Sequence, residues 1–122
     1  MRPALKRHEP GTEYYSAEGC YITEVSNSAA DPEASIARAR RAGRDGTLAP
    51  AEGTAERYVI VKGRGRVEVD ELGAHEIKPG NVVLIPPMCR QRIANIGKTQ
   101  LVFLAVCTPR FEGRSYQDLE KQ

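Results

Sequence analysis

The stretch PGNVVLIPPMCRQRIAN, residues 79–95, constrains this chain more than any other. Lys78-Pro79-Gly80-Asn81 marks a turn, because proline presets φ while glycine and asparagine tolerate positive φ. A strand therefore begins near Val82. Val82, Val83, Leu84 and Ile85 form an unbroken aliphatic run, which predicts a strand buried on both faces. Pro86-Pro87 ends it, since neither residue can donate to a sheet ladder. Arg90, Gln91 and Arg92 follow at once, and Ile93 opens the next strand. Polar side chains placed just beyond a buried strand, beside a rigid corner, stand at the mouth of a core, where a binding site belongs.

The rest of the chain reads as short strands separated by turns. Residues 1–12 are polar, with Pro3, Pro10 and Gly11, and form an arm. Tyr14-Tyr15 and Cys20 to Val25 are β-prone, the second alternating like a half-buried strand. In Ser35 to Arg41, Ile36, Arg38 and Arg40 point one way and Ser35, Ala37 and Ala39 the other. The arginine face reaches either a cavity or a surface carboxylate. Ala42 to Gly53 is an irregular connection. Glu56 to Lys62 is the strongest strand, with Glu56, Tyr58 and Ile60 on one face and Arg57, Val59 and Val61 on the other. Gly63-Arg64-Gly65 turns it into a hairpin partner, Arg66 to Asp70. Gln100 to Cys107 is a second continuous apolar run, expected to be buried on both sides. Phe111 is expected to pack over the barrel end, and Ser115 to Gln122 opens like a helix N-terminus. With eight to ten strands and almost no helix, the pattern is an all-β barrel or sandwich, divided into an arm (1–12), a barrel (13–111) and a short C-terminal helix or tail (112–122).

Composition excludes several function classes. A chain of 122 residues supports one domain with its own core. No apolar run approaches the roughly 20 residues of a membrane span, and no apolar stretch follows the basic N-terminal residues as a secretory signal would require. A net charge of +2 is too small to point to nucleic acid. The basic run Arg38, Arg40, Arg41 and Arg44 has no aromatic platform beside it. Cys20, Cys89 and Cys107 are an odd, widely spaced set, expected as reduced thiols in the cytoplasm. His8 and His75 lack partners at ligand spacing and read as surface residues.

Two spacings carry a resemblance. Gly80, Pro86, Gln91 and Asn95 resemble the second motif of the cupin superfamily, with Gln91 where the family has a metal-binding histidine and Met88 where it has glycine. Gly43, Ala49, Ala51, Glu56 and Gly63 resemble the first motif, with both of its histidines replaced by alanine. The resemblance implies a double-stranded β-helix, the cupin jelly roll, with a pocket between its sheets and commonly a homodimer. It also implies a divalent metal held by three histidines and a glutamate for dioxygen chemistry, isomerisation or decarboxylation.

The residues present point elsewhere. Ala49 and Ala51 have no lone pairs, and Glu56 with Gln91 supplies one carboxylate and one amide, too few donors for a tight transition-metal site. The expectation is a pocket that binds a small polar or anionic molecule with neither metal nor other cofactor. Glu56, Tyr58 and Gln91 would line it, and Arg38 or Arg40 would supply charge for an anion. Three readings compete with it. One is a metal-dependent enzyme with unexpected ligands such as Cys89, and another a metal-free enzyme with Glu56 as general base. The third is a non-catalytic dimeric module in which Glu56 pairs with an arginine and Gln91 is satisfied within the barrel.

Overall fold

A computed structural model describes residues 1–16, 19–43, 47–48 and 53–112, with backbone alone at 47–48. Ten antiparallel strands lie among them, in chain order β1 (Tyr14–Tyr15), β2 (Tyr21–Ser26), β3 (Ser35–Arg41), β4 (Thr47–Leu48), β5 (Ala55–Lys62), β6 (Gly65–Val69), β7 (Ala74–Ile77), β8 (Val82–Ile85), β9 (Gln91–Asn95) and β10 (Leu101–Thr108). They form a six-stranded sheet ordered β1-β2-β3-β10-β5-β8 and a four-stranded sheet ordered β4-β9-β6-β7. The all-β architecture expected from the turn spacing, and the jelly roll that the resemblance implies, are therefore present. The expected helix at 115–122 lies outside the described residues, as do Ala49, Ala51 and Arg44. No described helix is long and apolar enough to cross a membrane.

Alternation builds the core. Tyr58, Ile60, Val83, Ile85 and Phe103 of one sheet pack with Val67, Val69, Ile77 and Ile93 of the other in a single buried cluster. Tyr58 and Phe103 are neighbours, their ring centroids 4.7 Å apart. The β5–β6 turn requires glycine at position 63, where φ is +88° and a Cβ would come within 2.5 Å of the Gln100 carbonyl oxygen. The 78–81 turn forms as its residues predict, with Gly80 at φ +94° and the Asn81 side chain accepting from the Lys78 N–H at 2.9 Å.

One expectation of burial fails. β8 is not covered on both faces, for Val83 and Ile85 are buried while Val82 is 54% and Leu84 65% exposed. The reason is position: β8 is the last strand of the six-stranded sheet, with a single ladder partner, β5. β10, flanked by β3 and β5, comes nearer to the expectation. Its Leu101, Val102 and Phe103 are buried, and residues 104–106 are half-buried.

Candidate functional site at one end of the barrel

Strand register brings the polar residues together. Cys107 of β10 pairs with Ser35 of β3 on one side and Glu56 of β5 on the other, and Glu56 pairs in turn with Ile85 of β8. One row of inward side chains thus runs Ser35, Cys107, Glu56, Ile85 across the end of the sheet. Tyr58 belongs to the next row, between Ala105 and Val83. Gln91 begins β9 in the opposite sheet, paired with Val69. A short corner links Ile85 to Gln91, so Glu56 and Gln91 occupy the same end of the barrel. Exposures of 7% for Glu56, 0% for Tyr58 and 4% for Gln91 place all three inside.

The corner is held firmly. Asp70 donates its N–H to the Arg90 carbonyl at 3.0 Å and accepts from the Arg90 N–H through its carboxylate at 3.1 Å. This fastens the end of β6 to the start of β9. Met88 lies in the left-handed region at φ +68°, a conformation that glycine adopts without steric cost. Its place is the one where the resembled motif has glycine. Phe111 closes the barrel end as expected, donating its N–H to Ser35 Oγ at 2.8 Å and packing on Cys107.

The electrostatics mark Glu56 as the charged group of this end. Burial first, and the Glu56 carboxylate second, push the Cys107 thiol up to about 12. Cys107 is thus a protonated, weakly polar wall, not a thiolate. Cys89 is half-buried at the corner, where a hydrogen bond to the Asp70 carboxylate, followed by burial, raises its thiol above the ordinary 9.0. Neither thiol is poised as a metal ligand or nucleophile.

Arg38 and Arg40 are not brought to this site. The inward residues of β3 are Ser35, Ala39 and Arg41, all buried, so the face shared by Ile36, Arg38 and Arg40 is the outer one. Arg40 there donates to both carboxylate oxygens of Glu13, at 2.8 and 2.6 Å, and lies 4.0 Å over the Tyr21 ring. The interior arginine of β3 is Arg41, 2% exposed, at the other end of the strand with its Nη1 3.7 Å from Cys20 Sγ. Of the two destinations that the alternation left open for this face, a cavity or a surface carboxylate, Arg40 has the carboxylate, and sequence reasoning passed over Ser35 and Cys107. Cys107 had a signal, because it continues the inward series Leu101, Phe103, Ala105. His8 and His75 are exposed, the latter with Nε2 3.0 Å from the Leu72 carbonyl oxygen.

A scan of protein families matches residues 42–107 to the cupin domain, over half of the chain. The chain belongs to the cupin family. A search of curated proteins gave no match. Among solved structures, the ectoine synthase of P. lautus superposes with TM-score 0.78 at 15% identity, over 97% of this chain and 86% of that one. A predicted oxalate decarboxylase of Thermotoga maritima gives 0.72 at 22% identity, over 87% and 99%. Pac13 of Streptomyces, a nucleoside dehydratase, gives 0.71 at 15% identity, over 92% and 88%. At these identities the likeness establishes the fold. The metal that the family implies does not fit the residues here: among the described residues no group of three or more His, Cys, Asp or Glu could hold an ion, and Glu56 with Gln91 is a poor donor pair for a transition metal.

Proposed function

We propose that this cupin binds a small polar molecule at the Glu56 end of its barrel, without a tightly held metal ion. The observation that carries the reading is that Glu56 and Gln91, both buried, stand on facing sheets at one end of the interior, with buried Tyr58 in the row behind Glu56. Enclosed polar groups of this kind fix the orientation of a ligand. Glu56 accepts hydrogen bonds, Gln91 donates and accepts, and the Tyr58 hydroxyl does both. With Arg38 and Arg40 on the outer face, the charge expected for an anionic group is missing from the described wall. The ligand groups read here are hydroxyls or amines rather than carboxylates or phosphates. The competing reading, a metal-dependent enzyme with non-standard ligands, is less supported, because the hydrogen bond to Asp70 raises the Cys89 thiol and so disfavours the thiolate that a metal needs.

The test combines metal analysis of freshly purified protein with mass spectrometry of what is released on denaturation. A small hydroxyl- or amine-bearing compound is expected, with metal far below one ion per chain. Glu56→Ala is expected to weaken retention at least about tenfold, since a hydrogen bond to a charged group is worth about 1.5–3 kcal/mol. Stoichiometric metal that disappears in Glu56→Ala would overturn the reading.

A further inference from the structure

We infer that residues 109–112, which follow β10, are a latched gate over the Glu56 end of the barrel, and that Asn27 is the latch. Such a gate gives the proposed binding site its entrance, and the inference rests on that proposal only in taking a ligand to be what enters. Ser35, Cys107, Glu56 and Gln91 at that end are all buried, none more than 7% exposed. Groups so enclosed meet a molecule from solution only when a wall moves.

The corner at residues 86–90 is not suited to that movement. Asp70 fastens it to β6 through both its N–H and its carboxylate, and any shift there displaces Gln91. Residues 109–112 form the other wall. Thr108 is the last ladder residue of β10, and Pro109, which cannot donate to a ladder, takes the chain out of the sheet. Pro109 and Glu112 are exposed, whereas Phe111 is buried. A surface strap thus sends one ring inward onto Cys107, the neighbour of Glu56 across the β5–β10 ladder. The strap carries none of Glu56, Tyr58 and Gln91, so it can lift without displacing them.

What ties the strap down is the irregular connection between β2 and β3. The Arg110 N–H donates to the Pro32 carbonyl at 3.1 Å and the Phe111 N–H to Ser35 Oγ at 2.8 Å. Asn27 grips the same two residues from the other side: its Nδ2 donates to the Phe111 carbonyl oxygen at 2.7 Å, and its Oδ1 accepts from Arg110 Nη1 at 3.0 Å. Both partners also have a second place to go. Asn27 Nδ2 lies 3.3 Å from Glu24 Oε2, and Arg110 Nη2 lies 3.9 Å from Glu112 Oε1. Opening therefore exchanges hydrogen bonds instead of stranding them, which avoids the cost of leaving a polar group without a partner. The Phe111 ring, packed on Cys107, then favours the closed state by apolar burial. Two arrangements with similar hydrogen bonding, told apart by one aromatic ring, make the strap a two-state element rather than a fixed wall.

The experiment follows alkylation by iodoacetamide, itself a small polar molecule, on the full chain without denaturant, with peptide mass spectrometry separating Cys107 from Cys20. Cys20 is buried at the far end of the barrel beside Arg41 and reports unfolding of the whole molecule. Asn27→Ala is expected to raise the Cys107 rate about five- to thirtyfold, the factor by which two hydrogen bonds of ordinary net worth shift an equilibrium, with the Cys20 rate unchanged. Arg110→Ala, which removes one of those two bonds, is expected to raise it about fivefold and serves as the second variant should Asn27→Ala fail to fold. Rates at Cys107 and Cys20 that rise together would show loosening of the whole barrel, and a Cys107 rate unmoved in a folded variant would show that the strap is not the way in. Either result overturns the inference. Because the readout needs no bound compound, the gate can fail while denaturation still releases a hydroxyl- or amine-bearing ligand, and it can hold where none is released.

Discussion

Glu56 and Cys107 sit opposite one another across the β5–β10 ladder, and the thiol therefore reports the state of the carboxylate. Glu56→Gln is expected to bring the Cys107 thiol down from about 12 towards its ordinary 9.0, with burial keeping it from arriving there. Thiolate absorbance followed against pH, compared with Cys107→Ala, measures this. A raised thiol pKa stabilises the fold below pH 9 and loses that contribution as pH rises from 9 towards about 12. Cys107→Ala should flatten that part of the alkaline stability curve. Met88 makes a second residue-scale case. Its substitution for the motif glycine was visible in the sequence, but its consequence was not, because φ +68° is a property of the folded corner. Met88→Gly is expected to raise stability by up to about 1 kcal/mol, by relieving left-handed strain at some cost in chain entropy. Denaturant midpoints at constant slope check it. Arg41 shows the opposite failure: alternation separates two faces of β3 but does not say which one is interior.

At the scale of elements, what was legible depended on whether the deciding information was local. β5 read correctly residue by residue, with Glu56, Tyr58 and Ile60 inside and Arg57 and Val61 outside, because period-two alternation is a local signal. β8 did not, because whether an aliphatic run is covered on one side or two depends on its place in the sheet order, and that is set by strands far away in sequence. The arm shows how an edge is secured. Glu13 and Arg40 join the entry of β1 to β3, with Arg40 stacked on Tyr21 and Tyr21 edge-on to Tyr15 at 4.8 Å. The hydrogen bond from Arg40 holds the Glu13 carboxyl below its ordinary 4.5. A lowered carboxyl contributes stability that is complete above pH 4.5 and is lost as pH falls through its folded value. Glu13→Gln is therefore expected to melt below the natural chain at pH 7 and to converge with it as pH drops beneath 4.5. Proteolysis within residues 1–12 should quicken in the variant at neutral pH only. A melting difference that persists unchanged into acid would show that the side chain acts through packing rather than charge.

For the molecule as a whole, the core and the site are separable. The buried cluster from Cys20 and Ala39 to Ile93 and Phe103 is apolar throughout apart from the Tyr58 hydroxyl and the Cys20 thiol. Glu56 and Gln91 lie at one end, where β8 gives way to β9. Hydrophobic burial on this scale needs no ion to hold the sheets together. Chelation with EDTA is accordingly expected to leave the melting temperature of the natural chain unchanged. Replacing the missing donors makes the complementary case. Ala49→His, Ala51→His and Gln91→His together, with the native Glu56, would complete a set of three imidazoles and a carboxylate, which suits divalent transition metals. An ion bound to the folded state alone stabilises it by about 2.7 kcal/mol at a hundred times its Kd, roughly 10 °C for a domain of this size. The triple variant should therefore melt higher with manganese or zinc present, and EDTA should reverse the gain. A natural chain that EDTA destabilises would show that an ion already contributes to the fold, whereas a triple variant indifferent to metal would show that these positions no longer converge on a single point.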